Sequence, residues 1–259
     1  MIDYWLFSNM DNKEKIIKEL KAAHKGDTAN EKYHKAGQGS YLRNMVYGAN
    51  DGIITTFAVV AGVAGANLSP KIILILGFAN LVADGISMAM GSFLGTRSEN
   101  QLKHEELKTE YWEIDHVPEE EAKEIERIYK DKGFKANDLK RAVEVITSDR
   151  DVWAKEMMIY ELGIIPGEEE SPWKNGLVTF VAFAIAGLLP LLPYIFNIPS
   201  KDNFTTAIIF TGIALFMVGA LRTIFTKKNW LFSGLEMLLV GAIAATAAYA
   251  VGYFIDLIV

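Results

Sequence analysis

Residues 71–97 read KIILILGFANLVADGISMAMGSFLGTR, and this stretch decides the fold. Wound as an α-helix at about 1.5 Å per residue, an apolar run of this length crosses a hydrocarbon core about 30 Å thick. Counted as 71–96, it is one of five candidate spans, the others lying at 43–66, 173–196, 204–224 and 230–257. None shows the short alternating pattern of a membrane barrel, so helices are the structure that satisfies their backbone in lipid. The whole-chain figures, 51% apolar residues in 259 and a positive mean hydropathy, average over this segregation and understate it.

Two acids lie inside the first two runs. Asp51 is about ten residues into the first span, roughly 15 Å along the helix and near the bilayer midplane. A carboxylate there costs about 2.5–3.5 kcal/mol, so it should face a partner or water and mark a functional site. The structural alternative is a cap of a broken helix beside Gly48 and Gly52, or a pair with Arg43. In the second span Asn80, Asp84 and Met88 recur at i, i+4 and i+8 and share a helix face. Counting outward from the turn Asn67-Leu68-Ser69-Pro70 sets Asp51 level with Ile86, facing the Asp84–Met88 stretch. Two acids and a thioether at one depth suit a divalent metal or a shuttled proton. Gly77, Gly85, Gly91 and Gly95 are read as points of close helix approach.

Between spans two and three lies an acidic insert. Residues 98–172 hold 21 Asp/Glu against 11 Lys/Arg, a net −10, which leaves +4 elsewhere in a chain of −6. A first helix, about Ser98–His116, carries Glu106, Glu110 and Glu113. Pro118 starts a second with Glu120, Glu121, Glu124 and Glu126, and Gly133 ends it. Asn137 or Asp138 caps a third, which runs through Trp153 to Met157, Met158 and Glu161 and stops near Gly163. Glu110/Glu113 and Glu121/Glu124 are both E-x-x-E pairs, and Met158/Glu161 repeats the spacing. On a helix that spacing puts both side chains within reach of one ion. Oxygen ligands mixed with thioethers argue for Fe²⁺ or its neighbours rather than Ca²⁺ or Mg²⁺ alone. From spacing alone a solvated acidic face is the simpler reading, with Trp112 and Trp153 in a small core.

The chain has no cysteine, which removes disulfides, thiolate ligands and cysteine nucleophiles together. The start, MIDYWLFSNMDNKEK, lacks the basic-then-apolar pattern of a cleaved signal peptide, so the first span is expected to act as the signal. Residues 11–25 read as a lysine-rich amphipathic helix that lies on an anionic membrane surface or packs on the protein itself. His24 and His34 are isolated and read as structural. Pro190 and Pro193 should bend or end the third span. Placing the insert inside puts Arg43, Arg97, Lys174, Arg222, Lys227 and Lys228 on the cytosolic side and leaves mainly Lys71 and Lys201 outside, as the positive-inside rule asks. Glu236 and Met237, two turns into the fifth span, either join the Asp51 site or leave Glu236 to a loop lysine.

Asn50-Asp51-Gly52, the stretch Ala83-Asp84-Gly85-Ile86-Ser87-Met88-Ala89-Met90-Gly91 and the Glu-rich insert together resemble the vacuolar iron transporter family, over nearly the whole chain from Tyr41 on. The resemblance implies a five-span homodimer that moves Fe²⁺, and sometimes Mn²⁺, out of the cytosol in exchange for protons. It also implies a three-helix cytosolic metal-binding domain. Its in-membrane aspartate and methionine match Asp51 and Met88, its cytosolic carboxylates match Glu110, Glu113, Glu121, Glu124 and Glu161, and its paired methionines match Met157 and Met158. Family members commonly carry a glutamate where this chain has Asn80, which cannot carry a proton; either Asp84, one turn along the same face, substitutes, or the proton coupling is altered.

The expectation is therefore an all-α membrane protein with an N-terminal segment at 1–40, spans one and two within 41–97, a cytosolic acidic domain at 98–172 and spans three to five within 173–259. The expected transport path holds Asp51, Met88, Asp84, Asn80 and Glu236, and the insert holds the metal ligands, with Glu106 and Glu120 as accessories. Mn²⁺, Co²⁺ and Zn²⁺ are further ions for the insert, and neither an organic cofactor nor a nucleic-acid partner is expected. The membrane is the plasma membrane in a prokaryote and a vacuole or other acidic store in a eukaryote, with the N-terminus cytosolic and the C-terminus on the far side. Two rivals stand beside this reading. A membrane-anchored carboxylate di-iron oxidase usually uses Glu-x-x-His, and His104 and His116 form no such pair. A metal sensor has no need of Asp51 and Asp84 at the midplane.

Overall fold

The computed structural model describes residues 17, 21–22, 39–167, 169–196, 203–223 and 228–258. His24, His34, Lys201, Lys227 and most of the expected helix over 11–25 lie outside the described residues. Among those described, the regular structure is helical throughout: α1 (Gly39–Gly65), α2 (Pro70–His116), α3 (Pro118–Asp131), α4 (Ala136–Thr147), α5 (Arg150–Tyr160), α6 (Pro172–Gly187), a 3₁₀ turn (Leu189–Leu191), α7 (Leu192–Ile195), α8 (Asn203–Leu221) and α9 (Trp230–Ile258). Five helical stretches are long and apolar enough to cross a membrane: Gly39–Gly65, Pro70–His116, Pro172–Ile195, Asn203–Leu221 and Trp230–Ile258. The second is 47 residues long. Only its part up to about Thr96 is apolar, and the charged remainder lies beyond any ~30 Å hydrocarbon core. The chain divides into two compact units, Met1–Ser92 with Lys174–Val259, and Phe93–Trp173.

In the first unit α1 is the central element, packed on α9 and α8, and α8 packs on α9 in turn. Its buried residues, among them Gly48, Gly52, Ile53, Thr56, Phe57 and Val60, recur at helical spacing. One cluster joins Phe57, Val60 and Val63 of α1 to Ile73 and Leu81 of α2, Phe183 of α6 and Ala207 of α8. Another joins Ile53 to Ala186, Ala214, Leu215 and Met237. Gly48 is a point where only glycine fits, since a Cβ there would lie 2.6 Å from the Thr179 carbonyl oxygen of α6. The α1–α2 turn closes through Asn67, whose left-handed φ of 51° is one asparagine tolerates, with the Leu68 N–H donating to the Val63 carbonyl. Near Pro190 and Pro193 the third span breaks into α6, the 3₁₀ turn and α7, because a proline inside a helix removes a donor and crowds the preceding turn. Of the four glycines read as contact points in span two, Gly77 meets Leu191 and Gly85 meets Phe180, whereas Gly91 and Gly95 face open space among the described residues.

The second unit differs from expectation at two joints. No helix starts at Ser98: α2 continues to His116, since good helix formers follow and no cap or proline intervenes. The expected third helix is two. Its first part starts after Lys135 with no side-chain cap rather than at Asn137 or Asp138. It then stops at Thr147, and Asp149 opens α5 by accepting N–H bonds from Asp151 (2.9 Å) and Val152 (3.1 Å) on its Oδ1. An N-cap aspartate satisfies donors that a continuous helix would have used differently, and it starts the chain in a new direction. Two expected stops are present: Gly133 (φ 100°) follows α3, and Gly163 (φ 70°) follows α5. The small core holds Ile114, Ile125, Ile146, Trp153, Ala154 and Met157. An aromatic and ionic clasp ties α3 to α5: the Tyr129 hydroxyl donates to Glu156 Oε1 (2.5 Å), and Lys132 donates to the same oxygen (3.1 Å) while lying over the Tyr129 and Tyr160 rings.

Candidate functional site

The acidic unit places its key carboxylates where its helices need apolar residues. On α2, Leu107, Glu110, Tyr111 and Ile114 follow the spacing of one face; on α3, Glu121, Ala122, Ile125 and Ile128 do the same. Since Ile114 and Ile125 are core, Glu110 and Glu121 are carried inward and are only 3% and 7% exposed. Glu121 also sits in the first turn of α3 with Glu119 and Glu120, where the helix N-terminus favours negative charge. One carboxylate oxygen from each of Glu110, Glu113 and Glu121 lies within 4.8 Å of the others. Glu110 Oε2 and Glu121 Oε2 are buried without a hydrogen-bond partner among the described residues.

Buried carboxylates crowded together resist ionisation. Burial, followed by the charges of Glu161, Glu121, Glu113 and Glu124, pushes Glu110 up to about 8 from the ordinary 4.5. Burial and then Glu113, Glu124 and Glu161 push Glu121 up to about 7. Glu161, just past the end of α5, rises to about 6 through burial, a hydrogen bond with Glu124 and the charges of Glu124 and Glu113, against a lowering by Arg127. The common cause is negative charge enclosed with too little positive charge to balance it. A divalent cation between the Glu110, Glu113 and Glu121 oxygens would supply that balance and displace the protons.

The remaining expected ligands divide. Glu124 and Glu161 join the cluster electrostatically, and Glu124 is ion-paired to Arg127. Met157 and Met158 are both fully buried, and only Met157 belongs to the cluster of Ile114, Ile125, Ile146, Trp153 and Ala154. Glu106, half-buried one turn before Glu110, lies outside the triad. Glu120 is exposed and pairs with Lys123 at 3.1 Å, as a residue of a solvated face does.

In the membrane unit Asp51 is half-buried on α1, on the turn that Gly48 and Gly52 press against α6. The Thr55 hydroxyl donates to the Asp51 carbonyl (2.8 Å) and accepts from Asn80 Nδ2 (3.4 Å). That bond sets the α1–α2 register: with Thr55 opposite Asn80, Asp51 stands opposite Asp84, two residues nearer the turn than Ile86. The two acids are close enough to act on each other electrostatically. Met88 packs against the apolar cluster around Phe57 and Phe183. Glu236 is not brought to this group; its carboxylate pairs with the Arg222 guanidinium at the end of α8, an arginine in place of the expected lysine. The reading of single residues missed Thr55 and Arg127, although Thr55 is one turn from Asp51 and Arg127 one turn from Glu124, the spacing at which helical side chains meet.

Comparison with known proteins places the chain in one family. The vacuolar iron transporter of Toxoplasma gondii is 35% identical over 253 residues, covering 94% of this chain and 82% of that protein. That of Plasmodium berghei is 33% identical and covers 93% of this chain and 96% of its own length. Vacuolar iron transporter 1 of Arabidopsis thaliana is 33% identical over 86% of this chain and 88% of its own. The profile of the VIT family matches residues 42–253, from the first span through the acidic insert to the last span, and the chain therefore belongs to the VIT family.

Proposed function

We propose that this protein is a secondary transporter that exports Fe²⁺, and Mn²⁺ as a second substrate, from the cytosol in exchange for protons. The observation that carries the reading is the pair of buried, unpartnered carboxylate oxygens of Glu110 and Glu121 within the Glu110–Glu113–Glu121 triad. Leaving such groups unsatisfied is costly, and a cation is the partner their chemistry asks for. The acidic unit, on the cytosolic side in this reading, takes Fe²⁺ at Glu110, Glu113, Glu121, Glu124 and Glu161, with the Met158 thioether as the softer ligand. Mn²⁺, Co²⁺ and Zn²⁺ bind at the same place. In the membrane Asp51, Asp84 and Met88 receive the ion, and Asn80 holds Thr55 and the helix register.

Coupling follows from competition for the same oxygens. A carboxylate binds metal when deprotonated, so the ion that enters on one side releases protons and the proton that enters on the other releases the ion. Two facing acids, Asp51 and Asp84, suffice for this without a glutamate at position 80. The protein works as a homodimer: the α2 face bearing Val82, Ile86 and Met90 is exposed in one chain, opposite the face that carries Asp84, and a second copy would cover it. The test is Fe²⁺ flux into proteoliposomes with an acidic lumen, read alongside a lumenal pH dye. The parent takes up Fe²⁺ as the lumen loses protons, and Asp51→Asn removes both signals while the protein stays folded. Uptake by Asp51→Asn at the parental rate would refute the in-membrane site, and uptake without proton movement would refute antiport.

A further inference from the structure

We propose that Arg127 is a built-in counter-ion of the carboxylate cluster, which pairs with Glu124 in the metal-free protein, competes with an arriving divalent ion for that carboxylate, and so sets how tightly that ion is held. The inference rests on the metal-site reading above. Arg127 donates from Nη2 to Glu124 Oε1 one turn back on α3, and its charge also acts on Glu161, which belongs to a different segment. Two other pairs on these helices look alike in sequence: Lys108 with Glu105 and Lys123 with Glu120, both at i,i+3. Their carboxylates are 70% and 63% exposed, so water solvates them and the pairs contribute little. The Glu124 carboxylate is 29% exposed and faces other acids, so its pairing with Arg127 is screened far less.

The chemistry of a guanidinium decides the consequence. It carries five donors, no acceptor and a permanent charge, so it neutralises a carboxylate without being able to coordinate a metal. When a divalent ion enters, Arg127 competes with it for the Glu124 carboxylate, whose Oε1 it already holds, and the guanidinium repels the ion across a short distance. Both effects weaken holding and speed release, which serves a site that must pass its ion on.

Arg127 itself is 70% exposed, so replacing it leaves the core untouched. The experiment is titration of the full-length, detergent-solubilised protein with Co²⁺ at pH 8, followed by calorimetry and cobalt absorption, with stopped-flow chelation to read release. Arg127→Gln should lower Kd by at least about threefold and slow release, while Arg127→Lys, which keeps the charge, stays near the parent. Unchanged or weaker binding in Arg127→Gln, with the parent binding normally, overturns the proposal and makes Arg127 either a surface pair or a positioning residue for Glu124. A parent that binds no Co²⁺, or that binds it equally well as Glu110→Gln with Glu113→Gln, overturns the metal-site reading and this inference with it.

Discussion

Replacing Glu110 by Gln should stabilise the empty protein, and by an amount that depends on pH. Glu110 has a carboxyl pushed up to about 8, whereas in an unfolded chain it ionises near 4.5. A raised folded-state value gives stability that is full below 4.5 and lost as the pH rises through about 8. At pH 5 the two states differ little. At pH 7 the unfolded chain gains an ionisation that the folded chain is denied over about 2.5 pH units, which at 1.36 kcal/mol per unit is roughly 3 kcal/mol against folding. Glutamine has the size of the neutral acid and no ionisation to lose. Its amide is no worse placed than the unpartnered Glu110 Oε2, so the hydrogen-bond cost nearly cancels in the comparison. The parent and Glu110→Gln should therefore unfold at similar temperatures at pH 5 and diverge by several degrees at pH 8, with the variant the more stable. The measurement is thermal unfolding of the full chain in detergent and chelator, read through buried Trp153, and saturating Mn²⁺ should remove the parent's loss at pH 8. A gap between parent and variant that is the same at both pH values would refute the assignment of Glu110 as a buried carboxyl under repulsion.

Two further outcomes test the packing and the ligand set. Gly48→Ala should lower the unfolding temperature and cost about 1–3 kcal/mol, because its Cβ would meet the fixed Thr179 carbonyl at 2.6 Å; Gly212→Ala, whose Cβ would lie an ordinary 3.6 Å from Leu238 Cδ2, should be neutral or stabilising in the same assay. Met158→Leu should weaken the preference for Fe²⁺ and Co²⁺ over Mg²⁺ in competition titrations while keeping stability within about 1.5 kcal/mol, and Met157→Leu should leave that preference unchanged. Equal effects of the two methionine changes would place both thioethers in the core.

Much of the fold was legible because a membrane constrains sequence strongly. Apolar runs of span length, the Asn67–Pro70 turn and the two prolines near residue 190 each carry a local physical signal. The break at Asp149 was missed because the apolar period continues across it through Val145, Ile146 and Val152, and only the adjoining Ser148-Asp149 pair signals a cap. The acidic site was half legible. E-x-x-E spacing did not separate Glu121 from Glu120, nor Glu110 from Glu106, because composition alone scatters glutamates at helical spacing. Phase separates Glu121, on the apolar stripe of α3, from Glu120, which falls off it, whereas Glu106 shares a face with Glu110 one turn away and phase does not separate those two. A carboxylate where the period calls for leucine is a stronger sign than any spacing between carboxylates. No local signal put Glu236 with Arg222 rather than beside Asp51, since that choice depends on how α8 meets α9.

The same phase argument explains why the acidic unit gives up stability. A helix that buries glutamate in place of an aliphatic residue forgoes about 2 kcal/mol of transfer free energy and adds the cost of an unbalanced carboxyl. Nothing in the packing of Ile114, Ile125 and Trp153 requires this, since leucine at 110 and 121 would extend the core. In the proposed metal site a cation among the oxygens would recover that cost, and the repulsion stored in the cluster would become part of the driving force for binding. It would also set the pH at which the ion is surrendered. Groups held near 8 and 7 would exchange metal for protons close to neutrality, whereas solvated glutamates near 4.5 would release it only in acid. A site of the kind proposed, which loads in the cytosol and unloads again, needs the first kind, and burial on the apolar stripe would supply it.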